Sequence, residues 1–274
     1  MTRNYSVVSY KGAQLHYAIY GDGPKAVLAF HGYGQSHSEY FCFHEVFGDE
    51  YTLYSFDLFF HGNSTWHLKD KPISEEFFLQ IIQQFLIKHQ IERFILLGFS
   101  MGGKFALSCL KGFPEKVEEL LLIAPDGVKT SFWYTLVTWP KVFRNYFKRI
   151  IFRPNPFFKM LHIFQRLGIV HKSLGRFAST QMDTYRKRRR VYFTWVVFRK
   201  LTFNMAEISK LINQHQIKTQ IFMGRFDRVI TIKNLRRLKR QLRDYHLIVL
   251  ECGHTSLVKK VCHYLLNQRI QQQS

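Results

Sequence analysis

Cysteine is scarce in this sequence: Cys42, Cys109, Cys252 and Cys262 are the only four in 274 residues, and none are spaced as C-x-x-C. That pattern supports neither a disulfide framework nor a zinc ribbon. Long apolar runs are missing too. No stretch of 18 apolar residues occurs, so no spanning helix is expected. The opening MTRNYSVVSYKG passes straight into strand-like sequence without the apolar core of a secretory leader. These absences predict a reducing, cytoplasmic setting. Acidic residues are also in short supply, 19 Asp and Glu against 40 Lys and Arg, for a formal net charge of +21. The excess is uneven. Residues 128–210 hold 18 Lys and Arg but 2 Asp and Glu, a net +16 that leaves +5 for the other 191 residues. One middle segment is thus compositionally separate. What the chain does have is 46% hydrophobic and 22% charged residues, enough for a sizeable core and inconsistent with disorder.

The two outer parts, residues 1–127 and 211–274, read as alternating strands and helices. VVSY and LHYAIY alternate around a turn at Lys11-Gly12, and Gly21-Asp22-Gly23-Pro24 marks a second turn. Apolar runs of buried-strand length follow: residues 26–30, 51–56, 94–99, 120–124, 220–224 and 246–251. Near-continuous apolar strands fit a parallel sheet covered on both faces. Between them, Pro72 and Ser74 open a helix with Glu75 and Glu76 in its first turn, where the dipole favours carboxylates. Phe78, Ile81, Ile82, Phe85 and Leu86 recur at helical spacing in that segment. Further helices are expected over 102–112, 231–243 and 256–268. The repeated βα pattern predicts an α/β fold with a mostly parallel, doubly wound sheet. Residues 128–210 break the rhythm and read as a helical insertion. Within 141–152, Phe143, Tyr146, Phe147 and Ile150 share one helical face, and Lys141, Arg144 and Lys148 another.

The clearest chemical signal is FILLGFSMGG at 94–103, an apolar strand running into G-x-S-x-G and then a helix containing Ala106 and Leu107. This is the context a nucleophile elbow requires, with Ser100 at its apex. A bare Gly-Ser turn is the bland alternative. A serine hydroxyl needs a base, and the base an orienting carboxylate. In the order acid then histidine, Asp227 follows the strand QIFMG and His254 follows the strand HLIVLE. Both are placed at carboxyl ends of strands, the same sheet edge as Ser100. Asp126, at the end of LLLIA, is the competing acid. Acyl transfer also requires donors for the developing oxyanion. The turn His31-Gly32-Tyr33-Gly34 after AVLAF offers the Tyr33 amide, and the Met101 amide adjoins Ser100.

Taken together, His31-Gly32, Gly98-Phe-Ser-Met-Gly-Gly103, Gly224-x-x-Asp227 and Gly253-His254 resemble the α/β-hydrolase superfamily, in its single-domain branch with a helical lid. The resemblance covers residues 5–127 and 211–270. It includes Asp57-Leu-Phe-Phe-His-Gly-Asn-Ser64, similar to the family string D-x-P-G-H-G-x-S but with Phe59 and Phe60 in place of proline and glycine. His61 is read there as a structural loop residue. The resemblance implies a serine nucleophile, so aspartate-dependent dehalogenase and epoxide hydrolase chemistry is excluded. It implies no metal or organic cofactor, and a small-molecule ester substrate with an apolar acyl group. Thioesterase, acyltransferase and carbon–carbon bond hydrolase reactions remain open on the same triad, as does a non-catalytic receptor that keeps the fold.

The resemblance also makes residues 128–210 the lid. Three readings of its basic, aromatic character stand side by side. One is a solvated face with aromatics packed beneath. Another is contact with an anionic membrane, peripheral at the inner face, through Lys and Arg together with Phe132, Trp133, Tyr134, Trp139, Phe157 and Phe158. The last is nucleic-acid binding by Arg186–Arg190, which is not expected because no recognition module accompanies the charge.

Overall fold

The structure, a computed structural model, describes residues 4–129, 132–168, 175 and 179–273. Its strands are β1 (Asn4–Tyr10), β2 (Ala13–Tyr20), β3 (Lys25–Phe30), β4 (Tyr51–Phe56), β5 (Phe94–Phe99), β6 (Val117–Ile123), β7 (Lys218–Gly224) and β8 (His246–Leu250). Among the described residues the α-helices are α1 (Phe43–Phe47), α2 (Glu75–Lys88), α3 (Gly102–Gly112), α4 (Phe132–Thr138), α5 (Lys141–Phe152), α6 (Asn155–Arg166), α7 (Tyr185–Val197), α8 (Met205–Gln214), α9 (Arg236–Lys239) and α10 (Leu257–Gln273). The strands form one sheet in the order β1-β2-β4-β3-β5-β6-β7-β8. β1 and β2, and β2 and β4, pair antiparallel; every later pair is parallel.

Chain chemistry accounts for these elements. The β1–β2 hairpin closes on Lys11 (φ +46°) and Gly12 (φ +83°), two positive-φ residues whose twist matches that of the flanking strands. Every residue of β5 is buried, as a central parallel strand covered on both faces should be. The Ser74 hydroxyl caps α2 by accepting the Phe77 amide at 3.1 Å. The five apolar residues of α2 named above are all buried. At about 1.5–3 kcal/mol per large apolar side chain, that face contributes on the order of 10 kcal/mol before chain entropy is counted.

The segment 231–243 departs from its expected helix. A 3₁₀ turn (Ile232–Leu235) leads into only four residues of α-helix. Arg236, Arg237, Lys239, Arg240 and Arg243 crowd this stretch with no acid among them, so like charges meet where ion pairs would support a longer helix.

Two compact units divide the chain. Met1–His67, Ser74–Lys129 and Leu201–Ser274 make the first; Leu68–Ile73 and Thr130–Lys200 make the second. The sheet lies in the first unit, as does α8. In the second, α5 packs against α4 and α7. The Phe147 ring lies 5.4 Å from Tyr192 and 5.8 Å from Trp195. The Asp70 carboxylate accepts from Lys148 at 3.0 Å and from the Tyr192 hydroxyl at 3.1 Å.

The α5 faces differ from the expected division. Phe147, Ile150 and Ile151 are buried, whereas Phe143 and Tyr146 are exposed, because the side turned to α4 and α7 is narrower than the apolar stripe. The basic run 186–190 is likewise not one continuous charged face. Arg188 donates to the carbonyls of Ile151, Met182 and Asp183, Lys187 pairs with Asp183 at 2.9 Å, and Arg189 lies over the Phe193 ring. Tyr134 donates its hydroxyl to the Trp195 carbonyl at 2.9 Å. Trp139 is exposed, and Phe157 and Phe158 are half-buried. The side chains of Phe132 and Trp133 lie outside the described residues.

Candidate active site

Strand register assembles the site. Phe30 of β3 pairs with Gly98 of β5, Phe99 with Ile123 of β6, Ile123 with Phe222 of β7, and Gly224 with Leu250 of β8. The loops that leave these strands therefore emerge at one edge, and they carry Tyr33, Ser100, Asp126, Asp227 and His254.

Ser100 sits at φ +48°, a strained conformation for a residue with a Cβ. Three backbone hydrogen bonds hold it there. Its amide donates to the Ile123 carbonyl at 2.9 Å, and its carbonyl accepts the Gly103 and Asp126 amides, each at 2.8 Å. The small neighbours are obligatory. A Cβ on Gly98 would stand 2.9 Å from that of Ala106, and one on Gly102 would overlap the Phe30 carbonyl. Glycine here lets α3 start directly against the sheet, with its amide ends and positive dipole close to the serine.

The Ser100 hydroxyl lies 3.0 Å from Nε2 of His254, and Nδ1 of His254 lies 2.6 Å from Oδ2 of Asp227. The buried Asp227 has no spare freedom, since its other oxygen accepts the Val229 and Ile230 amides at 2.7 and 2.9 Å. With Nδ1 donating to the carboxylate, Nε2 is left as the acceptor for the serine proton. Phe99 packs its ring 5.0 Å from the imidazole. Asp126, the competing acid, faces elsewhere: it pairs with the buried Lys104 at 3.4 Å and accepts the Gly127 amide at 2.7 Å.

Tyr33 belongs to a turn whose shape two histidines fix. His31 is fully buried; its Nδ1–H donates to the Gly32 carbonyl at 2.7 Å, and its Nε2 accepts the Leu58 amide at 3.0 Å. Burial holds its pKa down to about 4, so the ring is neutral. His61 donates from Nδ1 to the Phe59 carbonyl at 3.1 Å and accepts the Gly34 amide on Nε2 at 3.0 Å. The Gln35 side chain accepts the Gly32 amide at 2.8 Å. Met101 follows Ser100 directly, and its amide has no acceptor among the described residues.

The 57–64 loop keeps a tight form despite Phe59 and Phe60. Phe60 takes φ +70°, the left-handed conformation a glycine would adopt freely. Asp57 anchors the loop by accepting the His37 amide at 2.8 Å and the Asn63 amide at 3.0 Å. Burial opposes its ionisation, but those amides and the His37 ring prevail and bring its pKa to about 2. Sequence reasoning did not anticipate the His31 contacts, the Phe99 stacking or the Lys104–Asp126 pair. A lysine directly after the paired glycines was the one visible cue to the last. Among the described residues no group of three or more His, Cys, Asp or Glu is placed to hold a metal ion, and no helix is long and apolar enough to cross a membrane.

A β-sheet of this order with a serine raised at the end of its fifth strand defines a known architecture. A family model described as alpha/beta hydrolase fold matches residues 25–261, and the chain belongs to that family. A Mycoplasma genitalium protein named "Putative esterase/lipase 2" is 30% identical over 130 residues, 46% of this chain and 46% of that protein. The dihydrolipoyllysine-residue acetyltransferase component of an acetoin cleaving system from Cupriavidus necator is 28% identical over 123 residues, 45% of this chain and 32% of its own length. The matched stretch thus spans less than half of either relative. Among solved structures, a thermophilic esterase from Thermogutta terrifontis superposes with a TM-score of 0.68 at 16% identity, covering 100% of this chain and 98% of that one. An alpha/beta hydrolase from a Medee basin deep-sea metagenome library gives 0.68 at 17%, covering 96% of each chain. At such identities the likeness is one of fold.

Proposed function

We propose that this protein is a serine hydrolase that cleaves a carboxylic ester through an acyl-enzyme intermediate, with Ser100, His254 and Asp227 as its triad. The observation that carries the reading is the continuous chain of hydrogen-bonding distances from the Ser100 hydroxyl to His254 and on to Asp227. In the proposed reaction Ser100 Oγ bonds to the carbonyl carbon as Nε2 of His254 takes its proton. The carbonyl oxygen becomes an oxyanion that accepts from the Tyr33 and Met101 amides. As the tetrahedral species collapses, the carbon–oxygen bond to the alcohol breaks and His254 returns the proton to the leaving oxygen. Water then gives a proton to His254 and attacks the acyl carbon. As that tetrahedral species collapses, the bond to Ser100 Oγ breaks, His254 returns the proton to that oxygen, and the acid leaves. Asp227 holds the imidazole in the required tautomer throughout. The name of the Mycoplasma genitalium relative supports an ester as the bond cleaved.

A fluorophosphonate probe tests the reading, because only an activated serine attacks it. Stoichiometric labelling of Ser100 that is absent from Ser100→Ala is the expected result. No labelling of the folded protein would favour a non-catalytic receptor. A series of p-nitrophenyl esters from acetate to octanoate then reads the acyl preference; activity rising with chain length is expected for an apolar acyl site.

A further inference from the structure

We propose that the exposed faces of α5 and α6 dock on an anionic lipid surface. The proposal stands independently of the ester chemistry. Residues 139–168 contain Lys141, Arg144, Lys148, Arg149, Arg153, Lys159 and Arg166 and not one Asp or Glu. Two of these cations are engaged within the second unit: Lys148 pairs with Asp70, and Arg144 donates to the Thr138 and Trp139 carbonyls. The other five are exposed and have no acidic partner among the described residues.

Large apolar side chains are exposed along the same two helices and at their ends. Val142 is 76% exposed, Phe152 68%, Leu167 65% and Ile163 53%, with Phe143 and Tyr146 also in solvent. Cations alone describe a solvated face. Cations interleaved with apolar groups that fail to reach the core describe a surface suited to head groups and the acyl boundary beneath them.

The chemistry of the face selects among occupants. A second copy would set five cations against five with no acid to answer them, which an isologous interface does not tolerate. A nucleic acid would satisfy the cations through its phosphates yet leave Val142, Phe152, Ile163 and Leu167 without apolar burial. An anionic bilayer answers both kinds of group. Each Lys or Arg near such a surface strengthens binding about fivefold, and the attraction fades within a Debye length of roughly 10 Å at 0.1 M salt.

Sedimentation of the intact protein with vesicles tests this. Phosphatidylserine–phosphatidylcholine vesicles at low salt should carry the protein down, and pure phosphatidylcholine vesicles should not. Arg149→Gln, Arg153→Gln and Lys159→Gln together should weaken partitioning on the order of 100-fold. Val142→Ser with Ile163→Ser should weaken it too, and to a similar extent in high and low salt. Both variants alter exposed side chains, so unchanged circular dichroism and unchanged labelling of Ser100 are expected. Ser100→Ala should bind vesicles like the unaltered protein, which separates failure of docking from failure of the proposed catalysis. Equal binding to neutral and anionic vesicles, no binding at low salt, or undiminished binding of the triple variant would each overturn the proposal. So would retention by a mixed-sequence RNA oligonucleotide without vesicle binding, or a stable dimer that the Val142 and Ile163 changes abolish.

Discussion

Ser100 occupies a conformation that costs an L-residue roughly 1–2 kcal/mol, and three backbone hydrogen bonds hold it there. Under the proposed mechanism, Ser100→Ala should lower ester hydrolysis by about 10⁴–10⁶-fold with no loss of folding, since the backbone bonds that hold the turn remain and the hydroxyl's contact is with His254. Steady-state rates and circular dichroism on the same preparation check both halves. Residual activity above a tenth would remove the serine from the mechanism. Asp227→Asn should cost several orders of magnitude through loss of the imidazole tautomer, while Asp126→Asn should cost little because Asp126 faces Lys104. A reversed ranking would move the acid to the end of β6. The three candidate triad residues stood out in the sequence because each follows an apolar strand with a glycine no more than three residues away. The contacts of His31 were not. Which ring nitrogen donates and which accepts depends on carbonyls and amides brought together from residues 32 and 58, and no local pattern encodes that meeting.

At the scale of elements, the sheet and α2 were legible because period and composition agree with burial at every step. The α9 region was misread because apolar spacing at 235, 238 and 242 continues past the point where clustered cations end the helix. The exposure of Phe143 and Tyr146 was hidden for a related reason: a stripe records which residues are apolar, not how wide the neighbouring face is. Two substitutions probe the elements directly. Ser74→Ala removes the α2 cap and should reduce unfolding free energy by about 1 kcal/mol in urea titrations, with activity retained. Gly102→Ala drives a Cβ into the Phe30 carbonyl, and what it meets there is the backbone of Phe30 and His31, which leaves little room to yield. It should cost more than about 4 kcal/mol or prevent soluble expression. A Gly102→Ala protein of normal stability would mean that α3 does not start where this fold requires.

For the whole molecule, the formal charge of +21 sets the response to acid. Self-repulsion grows as histidines protonate below neutrality, and added salt screens that part of the destabilisation. A second contribution escapes screening. His31 is buried and neutral in the folded chain with a pKa of about 4, whereas an unfolded histidine titrates near 6.5. Between those values the unfolded chain binds a proton that the folded chain refuses. The stability tied to a neutral His31 is therefore complete above pH 6.5 and drains away as the pH falls toward 4. Its full extent is about 3 kcal/mol, from the separation of the two pKa values. Asp57 acts lower on the scale: its pKa of about 2 preserves its contribution until the pH falls below the usual carboxylate range near 4. Urea unfolding from pH 7 to 4.5 should thus show declining stability at both 20 mM and 300 mM salt. His31→Gln should begin less stable at pH 7, because the paired contacts to Gly32 and Leu58 are disturbed, yet decline less steeply with acid. The difference between the two slopes, measured at high salt, isolates the buried ring from the general charge. Parallel slopes would show that His31 takes up its proton without leaving its site, and would shift the acid response wholly to self-repulsion.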